Sequence, residues 1–353
     1  MRRLGRLILA TLLAATLIPA PPASAVGDVA WNIHCGVSHF KSDDPIVFPG
    51  KPGESHAHTF FGNTTTDAAS NTQSLLASSS TCERGFENAD HSGYWVPSIY
   101  RKSLNGTLTE LKGTPEDMSV TIYYRRAGDE PVVMIPQGLR MIAGDPHAHA
   151  ETADAPGRWS CRDIKTGASF GESNARIPNC PSTHSLFGTL TFPNCWDGVN
   201  LDSADHKSHV VYTDNGACPA SHRKKIPQLT FELFYHNATG PGEQFMLSSG
   251  GQYSLHGDVF SAWDNRVQSA LVNSCLNAGK QCTGVNLSEV NLGSATVSGN
   301  NDFATPSATP TALATPASQP VHSQKYIQPL LQFAVILGIG IGGYFFRRRL
   351  RQR

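Results

Sequence analysis

Short runs rich in Val, Ile, Phe and Tyr recur along the middle of the chain, at 94–100, 119–124, 132–135, 139–143, 209–212 and 229–235. Gly, Pro and Asn turns separate them, and runs of this length between turn-forming residues predict β-strands. The clearest is 229–235, where Leu229, Phe231 and Leu233 alternate with other residues and share one face. The period changes once. Across 262–277, Trp263, Val267, Ala270, Leu271 and Cys275 fall on one stripe, which predicts an amphipathic helix. No linker or regular repeat interrupts 26–293, and the 32 glycines and 23 prolines suit many turns. The expectation is a mainly β body: a single sandwich-like domain with one or two helices and long loops.

The two ends follow other patterns. Arg2, Arg3 and Arg6 precede an apolar run, and a Pro-rich segment closes on Ala23-Ser24-Ala25. That order predicts a signal peptide over 1–25. From 294 to 325 the composition collapses to Ser, Thr, Ala, Pro and Asn. Such a segment buries too little apolar surface to offset its ordering entropy, so a disordered stalk is expected. Residues 327–346 are apolar and uncharged, and about twenty such residues span a bilayer as a helix. The arginines at 347–353 then mark a cytoplasmic tail. The expected product is a cell-membrane protein with one C-terminal transmembrane helix and an extracellular domain. Gly338 and Gly342 make a G-x-x-x-G step that could bring two such helices together.

Charge and cysteine usage refine this. The chain has 28 basic and 28 acidic residues, but eight arginines lie in the two ends, so the body is mildly acidic. It lacks the basic excess that binding to a phosphate backbone needs, which excludes nucleic acid as a partner. All eight cysteines (35, 82, 161, 180, 195, 218, 275, 282) fall within the expected extracellular domain. An even number in an exported chain predicts disulfides. Sequential pairing is the first expectation. N-x-S/T sites at Asn63, Asn105, Asn237 and Asn286 could carry glycans.

The body resembles a family of secreted fungal and actinobacterial proteins known as a domain of unknown function. The resemblance rests on D-P-I-V-F-P-G at 44–50, S-H-A-H-T-F-F-G-N at 55–63, G-Y-W-V-P at 93–97 and R-M-I-A-G-D-P at 140–146. It continues in C-W-D-G-V-N-L-D-S-A-D-H-K-S-H at 195–209, I-P-Q-L at 226–229 and H-G-D-V-F-S-A-W at 256–263. It implies an exported domain, in some members joined to sugar-binding modules or cell-wall contexts. It implies no particular reaction and no catalytic residues.

Three polar clusters carry candidate chemistry. His56 and His58, at i and i+2, point the same way in a strand and suit a divalent metal. His147 and His149 repeat the pattern. Residues 202–209 hold Asp202, Asp205, His206 and His209; a helical turn would line them up, and carboxylate beside imidazole serves a metal shell or general acid/base work. The plainer account is a loop whose aspartates cap backbone amides. His256 and Asp258 could form a third wall, with Gly257 admitting a ligand close to the backbone. Residues 197–202 offer a weaker, oxygen-rich calcium alternative. Nearby aromatics (Phe60, Phe61, Tyr94, Trp95, Trp196, Trp263) are candidates for stacking on sugar rings.

If these clusters meet, His56, His58, His206, His209 and His256 are the expected metal ligands, for zinc or a similar divalent ion. Asp202, Asp205, His206 and Asp258 are the expected catalytic groups. The function so implied is a metal-assisted hydrolase or lyase acting on extracellular or cell-wall polysaccharide. The competing function is a non-catalytic glycan- or wall-binding module, and a third account makes the polar residues a purely structural loop core.

Overall fold

The computed structural model describes residues 29–290, apart from 153, 215 and 241–243. The expected signal peptide, stalk, transmembrane helix and tail lie outside the described residues. Among those described, no helix is long and apolar enough to cross a membrane.

The strands are β1 (Ala30–Lys41), β2 (His58–Gly62), β3 (Gly93–Pro97), β4 (Ile99–Lys102), β5 (Leu108–Glu110), β6 (Met118–Arg125), β7 (Arg140–Gly144) and β8 (Gly157–Asp163). They continue with β9 (Ser169–Asn174), β10 (His184–Thr191), β11 (Cys195–Trp196), β12 (Val210–Val211), β13 (Lys224–Lys225), β14 (Gln228–Tyr235), β15 (Phe245–Leu247) and β16 (His256–Phe260). Ten of them form one sheet in the order β7-β16-β3-β2-β1-β6-β14-β10-β8-β9, and two three-stranded sheets flank it. The mainly β expectation is met.

β1 explains how ten strands enclose a core. Residues 30–36 pair with β6, residues 37–41 pair with β2, and the register shifts between Val37 and His39. A bulge bends and twists a strand, so β1 carries the sheet from one half to the other and the halves curl face to face. Tyr94 of β3 meets Phe231 of β14 with ring centroids 5.7 Å apart. A Cβ on Gly257 of β16 would come within 2.6 Å of Leu190 of β10. Gly257 is therefore required for close packing of the halves, and does not face a ligand. Ile33, Val96, Ile122, Phe231 and Val259 are among the residues buried between them.

The expected helix appears as α2 (Asn265–Leu271), running on as a wider π turn over Val272–Asn277. Asp264 caps it by accepting from the Val267 amide at 3.0 Å. All five residues of its predicted stripe are buried. A short helix, α1 (Thr72–Leu76), was not expected; Asn71 and Ser74 cap it reciprocally. The run 132–135 is not a strand. Its backbone is paired in part by side chains: Asn277 bonds both the amide and the carbonyl of Val132, and Gln268 does the same for Ile135, while the Val133 amide donates to the Lys225 carbonyl at 2.8 Å. Apolar residues there serve burial, while the side chains of Gln268 and Asn277 take most of the place of a partner strand.

Four disulfides join Cys35–Cys82, Cys161–Cys180, Cys195–Cys218 and Cys275–Cys282, the sequential pairing. No described cysteine is free. This bracing is consistent with an extracellular domain. Asn63, one of the four sequons, is fully buried and its amide donates to the Leu75 and His91 carbonyls, so it is unsuited to carry a glycan.

Candidate metal centre

The site lies on the face of β2, β3 and β16 turned away from the main core. Alternation along these strands sends Phe61, Tyr94, Val96 and Val259 inward and leaves His58, Phe60, Trp95, His256, Asp258 and Phe260 on the other side. A second, smaller apolar cluster of Ile46, Phe60, Leu75, Trp95, Phe260 and Ala262 covers most of that face. His58 pairs with Pro97, and the β16–β3 register carries His256 to the same rung. Two histidines nearly two hundred residues apart thus flank one proline.

His56 arrives from the loop before β2. Its neighbour Ala57 is pinned where its carbonyl accepts from the Ser98 amide at 2.9 Å and the Ser248 hydroxyl at 2.5 Å. The same loop is folded around Asp43, whose carboxylate accepts from the Gly53 and Ala68 amides and pairs with Lys41 at 2.8 Å. One nitrogen from each of His56, His58 and His256 lies within 4.8 Å of the other two.

The tautomers follow from the partners. His58 Nδ1 lies 3.0 Å from the Asp43 carbonyl and His256 Nδ1 lies 2.9 Å from the Ser254 carbonyl. A carbonyl only accepts, so both Nδ1 atoms carry the proton and both Nε2 atoms present a lone pair. His58 Nε2 is buried without a hydrogen-bond partner among the described residues. His56 Nε2 lies 3.2 Å from His256 Nε2. Two nitrogens bound tetrahedrally to zinc at roughly 2.05 Å sit about 3.3 Å apart, so the spacing fits such an ion. Protonation is disfavoured here. Burial lowers the His56 pKa to about 4 and that of His256 to about 3, and it pushes His58 well down, helped by its two neighbours.

Asp258, two residues beyond His256 on the same face, is also buried and its Oδ2 has no hydrogen-bond partner among the described residues. Burial, with the Asp44 carboxylate adding to it, raises its pKa well above the usual range. The shift favours the protonated, uncharged form of this carboxyl. Asp44 accepts from the Ile46 and Val47 amides and is itself raised by burial.

The 202–209 segment is elsewhere in role. It forms turns instead of the expected helical turn, because Asp205 accepts from the Ser203 and Ser208 hydroxyls and the Lys207 and Ser208 amides. Asp202 pairs with Arg140 at 3.2 Å and accepts from His206 Nδ1 at 2.9 Å. His206 is held at φ 57°, a left-handed conformation uncommon outside glycine. Both ring nitrogens of His209 are taken, by Ser203 Oγ and the Arg140 carbonyl. The group of converging ligand atoms found among the described residues is His56, His58 and His256, without His206 or His209. Asp197 caps the Val199 and Asn200 amides, which ties up the proposed calcium loop. The six aromatics considered for stacking are all buried.

A cavity of about 460 Å³ opens at β7, lined in part by Gly144, Asp145, Asp205, Lys207, Tyr212 and Tyr253 but by none of the three histidines. Gly144 is the β7 partner of His256. A side chain at Gly144, which has φ 86°, would run into the Leu255 carbonyl and His256 Cα. Sequence reasoning passed over Asp43, Ser254 and Gly144, the residues that orient or make room for the ligands. They carry no metal-binding signature, since two act through backbone carbonyls and one through having no side chain.

Residues 44–263 match the family profile described as Domain of unknown function (DUF1996). The chain belongs to this family. No curated protein and no solved structure matches the chain. The family description brings no chemistry, so the histidine cluster is the starting point for function.

Proposed function

We propose that His56, His58 and His256 hold a divalent transition metal, zinc or similar, and that the protein uses it as a hydrolase or lyase on extracellular or cell-wall polysaccharide. The convergence of three imidazole nitrogens supports this, two of them with lone pairs fixed by carbonyl partners on the far side of the ring. A metal-ligating histidine is commonly oriented in this way. The His58 Nε2 lone pair, buried with no hydrogen-bond partner among the described residues, is the one that a bound cation would satisfy.

Three neutral imidazoles leave further coordination positions free, as catalytic zinc sites do and closed structural sites do not. When bound, such an ion lowers the pKa of coordinated water toward neutrality and polarises a substrate oxygen. The chain's own residues have separable tasks. His58 and His256 are buried and oriented; His56, half-buried, marks the accessible side. Asp258 lies about 7 Å from His256 along the strand, the distance that two residues span, and burial shifts its carboxyl toward the protonated form, which can donate. Asp202 and His206 hold Arg140 and the loop, and Asp205 holds its turn.

Elemental analysis of the purified protein, followed by turnover on a panel of wall glycans with and without chelator, tests the proposal. The expected result is one equivalent of metal, lost in His56→Ala/His58→Ala, and a chelator-sensitive activity restored by zinc. A protein that takes up no zinc would refute the metal site. Metal-independent glycan retention without turnover would favour the binding-module function instead.

A further inference from the structure

We infer that the cavity beside the histidines is a subsite for a neutral glycan, whose sugar rings lie against Tyr212 and Tyr253. The inference rests on the proposed function only in calling the occupant a substrate. About 460 Å³ falls within the range of small-molecule sites, roughly 300–1,000 Å³. The lining combines apolar side chains such as Leu255 with these two tyrosines. Tyr212 stands out among the aromatics. It is 44% exposed in a body that buries all its tryptophans. Its hydroxyl donates to the Thr191 carbonyl at 2.8 Å, which fixes the ring while leaving part of it to solvent. The apolar C–H face of a sugar ring packs on such a surface, and the hydroxyls at its edge need acceptors.

The charged groups select among glycans. Asp145 and Asp205 line the cavity, one oxygen of each already accepting from its own loop, and the Lys207 ammonium is held on the Gly144 carbonyl at 2.8 Å. Carboxylates accept from sugar hydroxyls and repel uronates or phosphates. Position ties the cavity to the histidines: Gly144 lines it and pairs with His256, and the charges of Lys207 and Asp145 both act on His256.

The test uses the full-length protein stripped of metal with chelator, so that binding is read without turnover. Hexamers of a neutral hexose, of a uronate and of glucosamine are titrated calorimetrically. The neutral hexamer is expected to bind, to weaken about tenfold in Tyr212→Ala/Tyr253→Ala, and to bind Tyr212→Phe much as wild type. A urea unfolding transition like that of the wild type shows that the double variant is folded. The inference is overturned if no neutral hexamer binds, if the uronate or glucosamine hexamer binds more tightly, or if the double variant binds as wild type. Failure of zinc uptake by the wild type would sink the metal site and leave this result standing.

Discussion

Replacing His256 by Gln should change how stability responds to pH, by an amount the structure fixes. His256 is buried, with a folded pKa near 3 against an ordinary value of 6.5. The folded state therefore refuses a proton that the unfolded chain accepts below about pH 6.5. Stability from this group is fully present above that pH and is lost as pH falls toward 3. At 1.36 kcal/mol per pKa unit, lowering the pH from 7.5 to 5.0 costs the metal-free wild type about 2 kcal/mol through His256 alone. The raw slope of the wild type will not show this cleanly. Asp90, raised by burial to about 6, and Asp258, raised well above its usual value, bind protons more tightly when folded and oppose the loss. The difference between wild type and His256→Gln cancels those groups. Urea unfolding with chelator present should show the variant gaining about 2 kcal/mol on wild type between pH 7.5 and 5.0. A difference that stays constant within about 0.5 kcal/mol would refute the claim that this imidazole is buried and neutral.

Two further outcomes follow from the same geometry. Asp258→Asn mimics the protonated acid, and because the raised pKa makes wild type lose stability as pH rises above the ordinary carboxylate range, the variant should gain on wild type by up to about 1.4 kcal/mol per pH unit from about pH 4 upward, read by urea unfolding; parallel curves would count against a raised Asp258 pKa. Gly144→Ala places a side chain at positive φ against His256, which should cost roughly 2 kcal/mol or more and weaken zinc uptake in a competition titration with a chromophoric chelator; unchanged zinc affinity would show that Gly144 does not set the position of His256.

Much of the fold was legible in the sequence because its signals are local. Period-two alternation at Leu229, Phe231 and Leu233 reports a strand with one buried face, and the Trp263–Val267–Leu271 stripe reports a helix. Runs without that support misled. Residues 132–135 are as apolar as a strand, yet the hydrogen bonds of Val132 and Ile135 go to the side chains of Asn277 and Gln268, more than a hundred residues away. The candidate site was half legible. The H-x-H spacing marked His56 and His58, and His256 was named beside them, but nothing local separated these from His206 and His209. What separates them is which rings the fold brings together, a long-range property: His256 meets His56 and His58, whereas His209 is held between Ser203 and the Arg140 carbonyl and His206 against Asp202.

By itself the sequence determined a disulfide-braced, mainly β body and a short stock of polar residues from which a centre could be built. Cysteine order, alternation and turn residues act over a few positions and need no partner to be read. Only the tertiary structure decided which histidines meet. The bend in β1 and the pairing of β2 and β16 on either side of β3 bring His58 and His256 to one rung. The backbone carbonyls of Asp43 and Ser254 then turn their lone pairs toward His56. Strand order is set by burying both faces of the sheet at once, a condition that no stretch of sequence expresses alone.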